Sequence, residues 1–310
     1  MLGVDLSVVV CSYTLERWDE LARAVESVRA QAPTPFQVIL SVDYCTDLAD
    51  RARANWPDVV VVENCYSRGL SGARNTGVEV ASGDVVAFLD DDAAAEPGWV
   101  AATLAAYADP TVVGTAGEVL PDWRVPAPRW FPSEFLWVVG CSYDAASPGE
   151  SREIRNAIGA SMSFRRADLH AAHGFDEAIG RLGKNAAGCE ETELSVRVTR
   201  TSGGRIVTTP AALARHAVTA DRATRTYFRR RCRAEGRSKA LVTRRVGRGE
   251  GLAAERRYAT RVLPMAVLTG LRDALRGDLW GLARAGAVIE GLLLTATSYA
   301  VWSIRYARKV

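Results

Sequence analysis

The stretch DVVAFLDDD, residues 84–92, places five apolar residues, Val85 to Leu89, between Ser82-Gly83-Asp84 and a run of three carboxylates. An apolar run of that length, bounded by turn residues, reads as a buried strand. The strand therefore ends in Asp90, Asp91 and Asp92. Adjacent like charges repel one another unless water or a cation neutralises them, and carboxylate oxygens are the ligands that hard divalent cations prefer. The expectation is that Asp90 and Asp92 hold Mg2+ or Mn2+ at the carboxyl end of a central strand, where open α/β sheets bind ligands. Taken alone the triplet reads equally well as a solvated turn, and its place after a buried strand tips the reading.

Working outward, residues 6–11 have a strand pattern, Ser12-Tyr13-Thr14 a loop, and residues 18–31 an amphipathic helix with Leu21, Val25 and Val28 on one face, stopped by Pro33 and Pro35. Residues 36–42 form a second strand that ends at Asp43. Thr46 is expected to cap a helix through residue 56, and residues 59–62 are a third strand. Strands and helices alternating at this spacing imply a parallel sheet with right-handed crossovers, an α/β fold of nucleotide-binding type. Between the third strand and the acids lies RGLSGARNTG, residues 68–77, running into a helix. Its glycines, with Arg68 and Arg74, can bring backbone amides and guanidinium groups to a phosphate or a base; the plainer reading is a glycine turn. GxxxxGK[ST] and GxGxxG are both missing, which excludes a P-loop and a dinucleotide fingerprint.

Strand-SYT, strand-Asp43, RGLSGARNTG and FLDDD, in that order over residues 5 to about 100, resemble the nucleotide-sugar-binding half of GT-A type glycosyltransferases of family 2. The resemblance implies an α/β fold with a Rossmann-like, mainly parallel GT-A sheet and a helical C-terminal extension. It implies that Ser12 and Tyr13 line the nucleoside pocket, that Asp43 binds the uracil edge, and that Arg74 and Asn75 face the nucleotide. It also implies that Asp90 contacts the ribose while Asp92 coordinates the metal bridging the diphosphate; Arg68 and Asp91 are counted with the same nucleotide-sugar site. Tyr44-Cys45-Thr46 departs from the family, in which a second acid and Gly-Ser are common after the first.

Residues 99–107 read as a helix and 112–119 as a strand leading to the acceptor side. Residues 121–150 are rich in proline and aromatics (Trp123, Trp130, Phe131, Phe135, Trp137, Tyr143), with turns rather than periodicity; these rings either contact an acceptor or simply pack. NAIGASMSFRR, residues 156–166, reads as a strand similar to the family segment in which a glycine, here Gly159, approaches the donor sugar; Ser161 stands where Asn is common. A second acidic cluster, Glu190-Glu191-Thr192-Glu193, opens a helix. Acids in a first helical turn are favoured by the dipole without any catalysis, and adjacent acids project in different directions, so one would face a cleft and the other support it. The cluster resembles the family's acidic pair, with Glu191 at the position of the catalytic base and Glu190 as the alternative. With GFDEAIGR before it (174–181), it resembles the branch containing glucosyl-dolichyl-phosphate glucuronosyltransferases. His170 and His173 belong to a surface helix. His216 follows a strand-like 205–209 and a Pro210 link and precedes an arginine-rich YFRRR helix, a family pattern that makes it a candidate metal or diphosphate contact.

Charge divides the chain. Residues 221–310 hold 20 Lys+Arg against 7 Asp+Glu, a net of +13, and the remaining 19 and 29 leave −10. A catalytic domain over 1–220 (donor binding in 1–100, acceptor side and acid in 101–220) followed by a basic, amphipathic region over 221–310 is the expected organisation. No nucleic-acid recognition motif accompanies the basic residues, so anionic lipid is the expected partner. Residues 285–304 are nearly long enough to span a bilayer, with Glu290 the only charge and Arg305, Arg308 and Lys309 after it; an in-plane helix ranks before a span or a soluble packing helix. The opening MLGVDLSVVVCSYT lacks a basic n-region, which argues against a signal peptide, and six cysteines without CxxC or zinc spacing read as reduced thiols in the cytoplasm. The function expected is an inverting, metal-dependent transfer from a UDP-sugar to a lipid-linked or glycan acceptor at the inner membrane face, with a homo-oligomer left open. The rivals are a sugar nucleotidyltransferase, which normally begins with a glycine-rich loop, and a non-catalytic membrane scaffold on the same fold.

Overall fold

The structure, a computed structural model, describes residues 3–143, 150–181, 188–247 and 253–308; Lys309 and residues 144–149 of the aromatic segment lie outside them. The described chain forms two compact units, one from residues 3–120, 150–181 and 190–217 and one from residues 121–143, 188–189, 218–247 and 253–308.

The first unit is built on a nine-stranded mixed sheet. Strand β1 (Leu6–Ser12) is followed by α1 (Trp18–Arg29), β2 (Gln37–Val42), α2 (Thr46–Asn55), β3 (Val60–Glu63), α3 (Leu70–Val80) and β4 (Val85–Asp90). These four strands are all parallel, in the order β3-β2-β1-β4. Next come β5 (Ala93–Ala95), α4 (Trp99–Ala106), β6 (Val112–Trp123), β7 (Glu153–Ile154), β8 (Ser161–Arg165), α5 (Arg166–Ala171), α6 (Glu190–Ser202) and β9 (Arg205–Val218). Beyond β4 the pairing turns antiparallel, with β8 on β4, β6 on β8, and β9 carrying β7 near one end and β5 near the other.

Alternation decides which residues face which layer. Val8, Val10, Val85, Ala87 and Leu89 face one core with Leu21, Val25 and Leu48, whereas Val9, Val86 and Phe88 face another with Val78, Met162, Phe164 and Leu194. Both faces are thus covered, as a parallel sheet requires. Helix α3 comes close enough to β1 that a Cβ on Gly77 would stand 2.4 Å from Val9 Cγ1. The register sets Cys11 of β1 opposite Asp90, so the acids emerge level with Ser12.

Several local expectations are corrected. The N-cap of α2 is Cys45, and the Thr46 hydroxyl donates instead to Glu63 Oε2 at 3.0 Å. Only residues 161–165 of the 156–166 segment are strand, and β6 continues to Trp123. Pro210 does not break the chain before His216: β9 runs through it, because β7 pairs at 206–207 and β5 at 214–216, so that among the described residues neither strand reaches Pro210 to need an N–H. Ser133–Val139, expected as turns, is a 3-10 helix.

The second unit consists of that turn of helix and α7 (Arg225–Val246), α8 (Ala253–Arg257), a π-helical turn (Tyr258–Val262), α9 (Leu263–Leu275) and α10 (Trp280–Ala307). Phe228 of α7 sits in a nest of rings with Trp130, Phe131 and Phe135, so aromatics of the 121–143 segment pack together. Helices α7 and α10 touch through Gly236, where a Cβ would meet the Thr295 carbonyl oxygen at 2.2 Å.

Candidate active site

Three ligand-bearing side chains, Asp90, Asp92 and His216, converge in the first unit with their ligand atoms all within 4.8 Å of one another. Strand β4 delivers the acids, and the β5–β9 pairing puts His216 opposite Ala93, next to Asp92. His216 Nε2 lies 3.0 Å from Asp92 Oδ1, and the Asp92 carbonyl accepts from Ala217 N. Asp92 and His216 are buried, and His216 Nδ1 has no hydrogen-bond partner among the described residues. Two carboxylates and an imidazole form a donor set for one divalent ion, the oxygens suiting Mg2+ or Mn2+ and the imidazole favouring a transition ion.

Asp91 points elsewhere. It accepts from Ser12 Oγ at 2.7 Å and from Arg17 at 2.9 Å, and the same guanidinium reaches Asp92 at 3.2 Å. Burial pushes the Asp91 carboxyl up to about 7, against the pull of Arg17. Arg17 escaped the sequence reading; it lies in a 3-10 turn just before α1, and its guanidinium stacks over the Tyr13 ring at 5.1 Å. Its position in SYTLER, one short loop after a strand end, was the signal available.

Arg74 links the two acidic clusters. Its side chain is buried, donating to Glu190 Oε1 at 2.9 Å, to Asp90 Oδ1 at 3.3 Å and to the Gly159 carbonyl at 3.2 Å. The rings of Phe88 and Phe175 lie 5.9 and 5.3 Å from the guanidinium carbon. Cys11, half-buried, lies in the same region and its thiol is pushed up to about 12 by desolvation, so it stays neutral beside these charges. Glu191, half-buried, is near enough that its charge also acts on Arg74. Glu190 is enclosed, and its Oε2 has no hydrogen-bond partner among the described residues. The third acid, Glu193, is spent on Arg197, one helical turn on, which also donates to the carbonyls of Ala172 and Gly174.

The fit at Arg74 makes a stability prediction. Replacing it by Met, similar in length but uncharged, leaves Glu190 enclosed without its counter-ion, and the expected loss is about 3–5 kcal/mol of unfolding free energy. Arg74→Lys recovers only part, because one ammonium cannot span both carboxylates. Urea unfolding measures both; a loss under about 1 kcal/mol for Arg74→Met would contradict the buried pair.

The remaining expected site residues divide. Asp43 is buried, accepting from Asn64 Nδ2 at 2.7 Å and from Gly69 N at 3.0 Å, while Tyr13, Tyr44 and Arg68 are exposed, Arg68 lying over the Tyr44 ring at 5.9 Å. Asn75 fastens a loop: its amide both donates to the Phe175 carbonyl, at 2.9 Å, and accepts from Phe175 N, at 2.8 Å. Ser71 Oγ holds Ile179 O at 2.6 Å in the same way, which pins GFDEAIGR against the start of α3. Ser161 is buried and accepts from the Trp99 indole at 3.0 Å. His170 and His173 are exposed.

A parallel sheet turning antiparallel, with an acid-and-histidine cluster at the strand end and a second acidic pair one arginine away, defines a GT-A glycosyltransferase. The chain belongs to Glycosyl transferase family 2, whose sequence pattern matches residues 7–171. It is 37% identical to a glucosyl-dolichyl phosphate glucuronosyltransferase of Haloferax volcanii over 69% of each chain. It is 24% identical to the succinoglycan biosynthesis protein ExoM of Rhizobium meliloti, over 74% of this chain and 72% of that one. Among solved structures, a mannosyltransferase from Pyrobaculum calidifontis, PcManGT, in complex with GDP-Man and Mn2+, superposes with a TM-score of 0.56 at 18% identity, over 95% of this chain and 88% of that one. GalNAc-T7 with UDP, GalNAc and Mn2+ gives 0.54 at 17% identity, over 75% of this chain; the match spans 48% of that longer chain. Family membership makes the protein a glycosyltransferase and removes the nucleotidyltransferase and scaffold readings.

Proposed function

We propose that the chain transfers a sugar from a UDP-sugar to a hydroxyl of a lipid-linked acceptor, inverting the anomeric carbon, with Mg2+ or Mn2+ bound. The observation that carries this reading is the Asp90–Arg74–Glu190 bridge, which brings both acidic clusters to one place. Asp92 and His216, with Asp90 beside them, would hold the cation, whose Lewis acidity, when bound, serves the departing diphosphate. Glu191 removes the proton from the acceptor hydroxyl as it attacks the anomeric carbon in line, while Glu190, neutralised by Arg74, fixes the first turn of α6. Asp43 accepts from two N–H groups, one of Asn64 and that of Gly69, which is shared between its oxygens; a carboxylate has about four acceptor sites, which leaves room for the N–H of a uracil edge. Ser12, Tyr13 and Arg68 complete the nucleoside side, and Gly159, with no side chain, lets the donor sugar come close.

The glucosyl-dolichyl phosphate in the name of the Haloferax volcanii relative supports a lipid-linked acceptor, and the nucleotides and Mn2+ in the two solved neighbours support a nucleotide-sugar donor with a divalent ion. On this reading the reaction takes place at a membrane surface. Among the described residues one helix, α10, is long and apolar enough to cross a membrane. The test is a donor screen over UDP-, GDP- and dTDP-sugars with phosphatase-coupled detection of the released nucleotide. UDP release that EDTA stops and Mn2+ restores is expected; a preference for GDP-sugars, or a rate indifferent to EDTA, would refute the donor or the metal assignment.

A further inference from the structure

Helix α10 has two unlike faces. One packs on α7, burying Ala287, Val288 and Gly291, and its acid Glu290 is held there by Arg229 at 2.5 Å and Arg225 at 3.7 Å. The opposite face presents Leu282, Ile289, Leu293 and Ile304, from 48% to 58% exposed, on one line that also contains exposed Gly286, Ala296 and Ala300 and no charged residue. At 1.5 Å per residue this line is about 33 Å long. Helix α9 adds exposed Met265, Leu268 and Leu275, the last 89% exposed. The α10 line is by itself an exposed apolar surface of an extent that marks a place where something binds.

What borders the surface identifies the occupant. Arg229, Arg233, Arg237 and Arg244 of α7 are exposed and fall on one line of that helix, running along α10. Arg237 stacks on Trp302 at 4.4 Å, Arg305 lies over the same ring at 5.0 Å, and Arg244 donates to the Tyr306 carbonyl at 2.7 Å. Behind the leucine line, on the side of α10 turned to α7, come these indole, phenol and guanidinium groups, an order that matches the layers of a lipid leaflet, acyl chains first and anionic headgroups above them. A second copy of the chain is a poor match, since a two-fold contact would set one arginine row against its twin.

We propose that α9 and α10 seat in an anionic lipid leaflet with α10 lying in the plane of the membrane. A span is disfavoured by the Glu290–Arg229 contact, because α10 could cross the bilayer only by drawing the arginine row of α7 into hydrocarbon. This rests on the patterning of the second unit and not on sugar transfer, and it is scored without donor or acceptor, so either reading can fail alone.

The full-length protein is sedimented with phosphatidylcholine vesicles and with vesicles containing about one-third phosphatidylglycerol, at low and high salt. Partitioning at least about tenfold stronger onto the anionic vesicles, and weakened by salt, is expected. The triple variant Leu282→Glu, Ile289→Glu, Leu293→Glu lowers it about a hundredfold. These side chains point outward, so the melting temperature should hold; if it drops, single reporters decide instead. Nitroxides on cysteines replacing Leu282, Leu293 and Ile304, in a Cys65→Ser background, should report one common shallow depth. Binding indifferent to phosphatidylglycerol, or a chain that self-associates and stays off both vesicles, overturns the proposal. A reporter at Leu293 much deeper than the other two overturns the in-plane seat.

Discussion

Glu191→Gln is expected to lower turnover about a hundredfold to ten-thousandfold, the usual worth of a positioned general base, while donor affinity stays nearly unchanged. The amide keeps the shape and the local bonding of α6 but cannot take a proton. Glu190→Gln should look different. It removes the charge that balances a buried Arg74, so stability falls together with both kcat and KM. The contrast in protein stability, read by urea unfolding beside steady-state kinetics, separates the two acids. A Glu191→Gln enzyme within about tenfold of the parent, or a Glu190→Gln enzyme that is fully stable but inert, would reverse the roles assigned to them.

Asp92→Asn is expected to cost about a thousandfold in turnover, several kcal/mol of transition-state stabilisation, with a parallel loss of Mn2+ affinity. Asn preserves the size of the side chain, and the Asp92 carbonyl keeps its bond from Ala217 N, so the β5–β9 end of the sheet should be undisturbed. What disappears is one negative charge beside His216 and Arg17. Manganese paramagnetic resonance on the protein, with and without UDP, measures the binding separately from catalysis. Unchanged Mn2+ affinity in Asp92→Asn, or turnover within about tenfold of the parent, would remove Asp92 from the cation site.

The parts of the fold that local chemistry dictates were readable from the chain. DVVAFLDDD had to be a buried strand ending in charge, and the alternation before it had to give parallel strands; both are present. His216 was reached only through family resemblance, because its partnership with Asp92 comes from antiparallel pairing between distant segments, which no local periodicity encodes. Arg17 was missed for a related reason: a charged residue in a short turn reads as solvated until the strand beside it supplies two carboxylates. The bonds from Asn75 to Phe175 were not legible, because an amide serves a ligand or a backbone loop equally well, and only the tertiary fold brings Phe175 to it. The β9 strand hid behind Pro210 because a proline is read as a break unless one knows that its outer side carries no ladder there.

Asp90 belongs at once to the Arg74 contact and to the cluster with Asp92 and His216. Two engagements that draw on one carboxylate are coupled, and thermodynamic reciprocity makes the coupling equal in both directions. Whatever draws Asp90 outward slackens the tether on the first turn of α6, and whatever stiffens that turn feeds back on occupancy at the strand end. With the roles proposed for these residues, the two halves of the chemistry would not be independently tunable: a change that sharpens one would alter the equilibrium of the other.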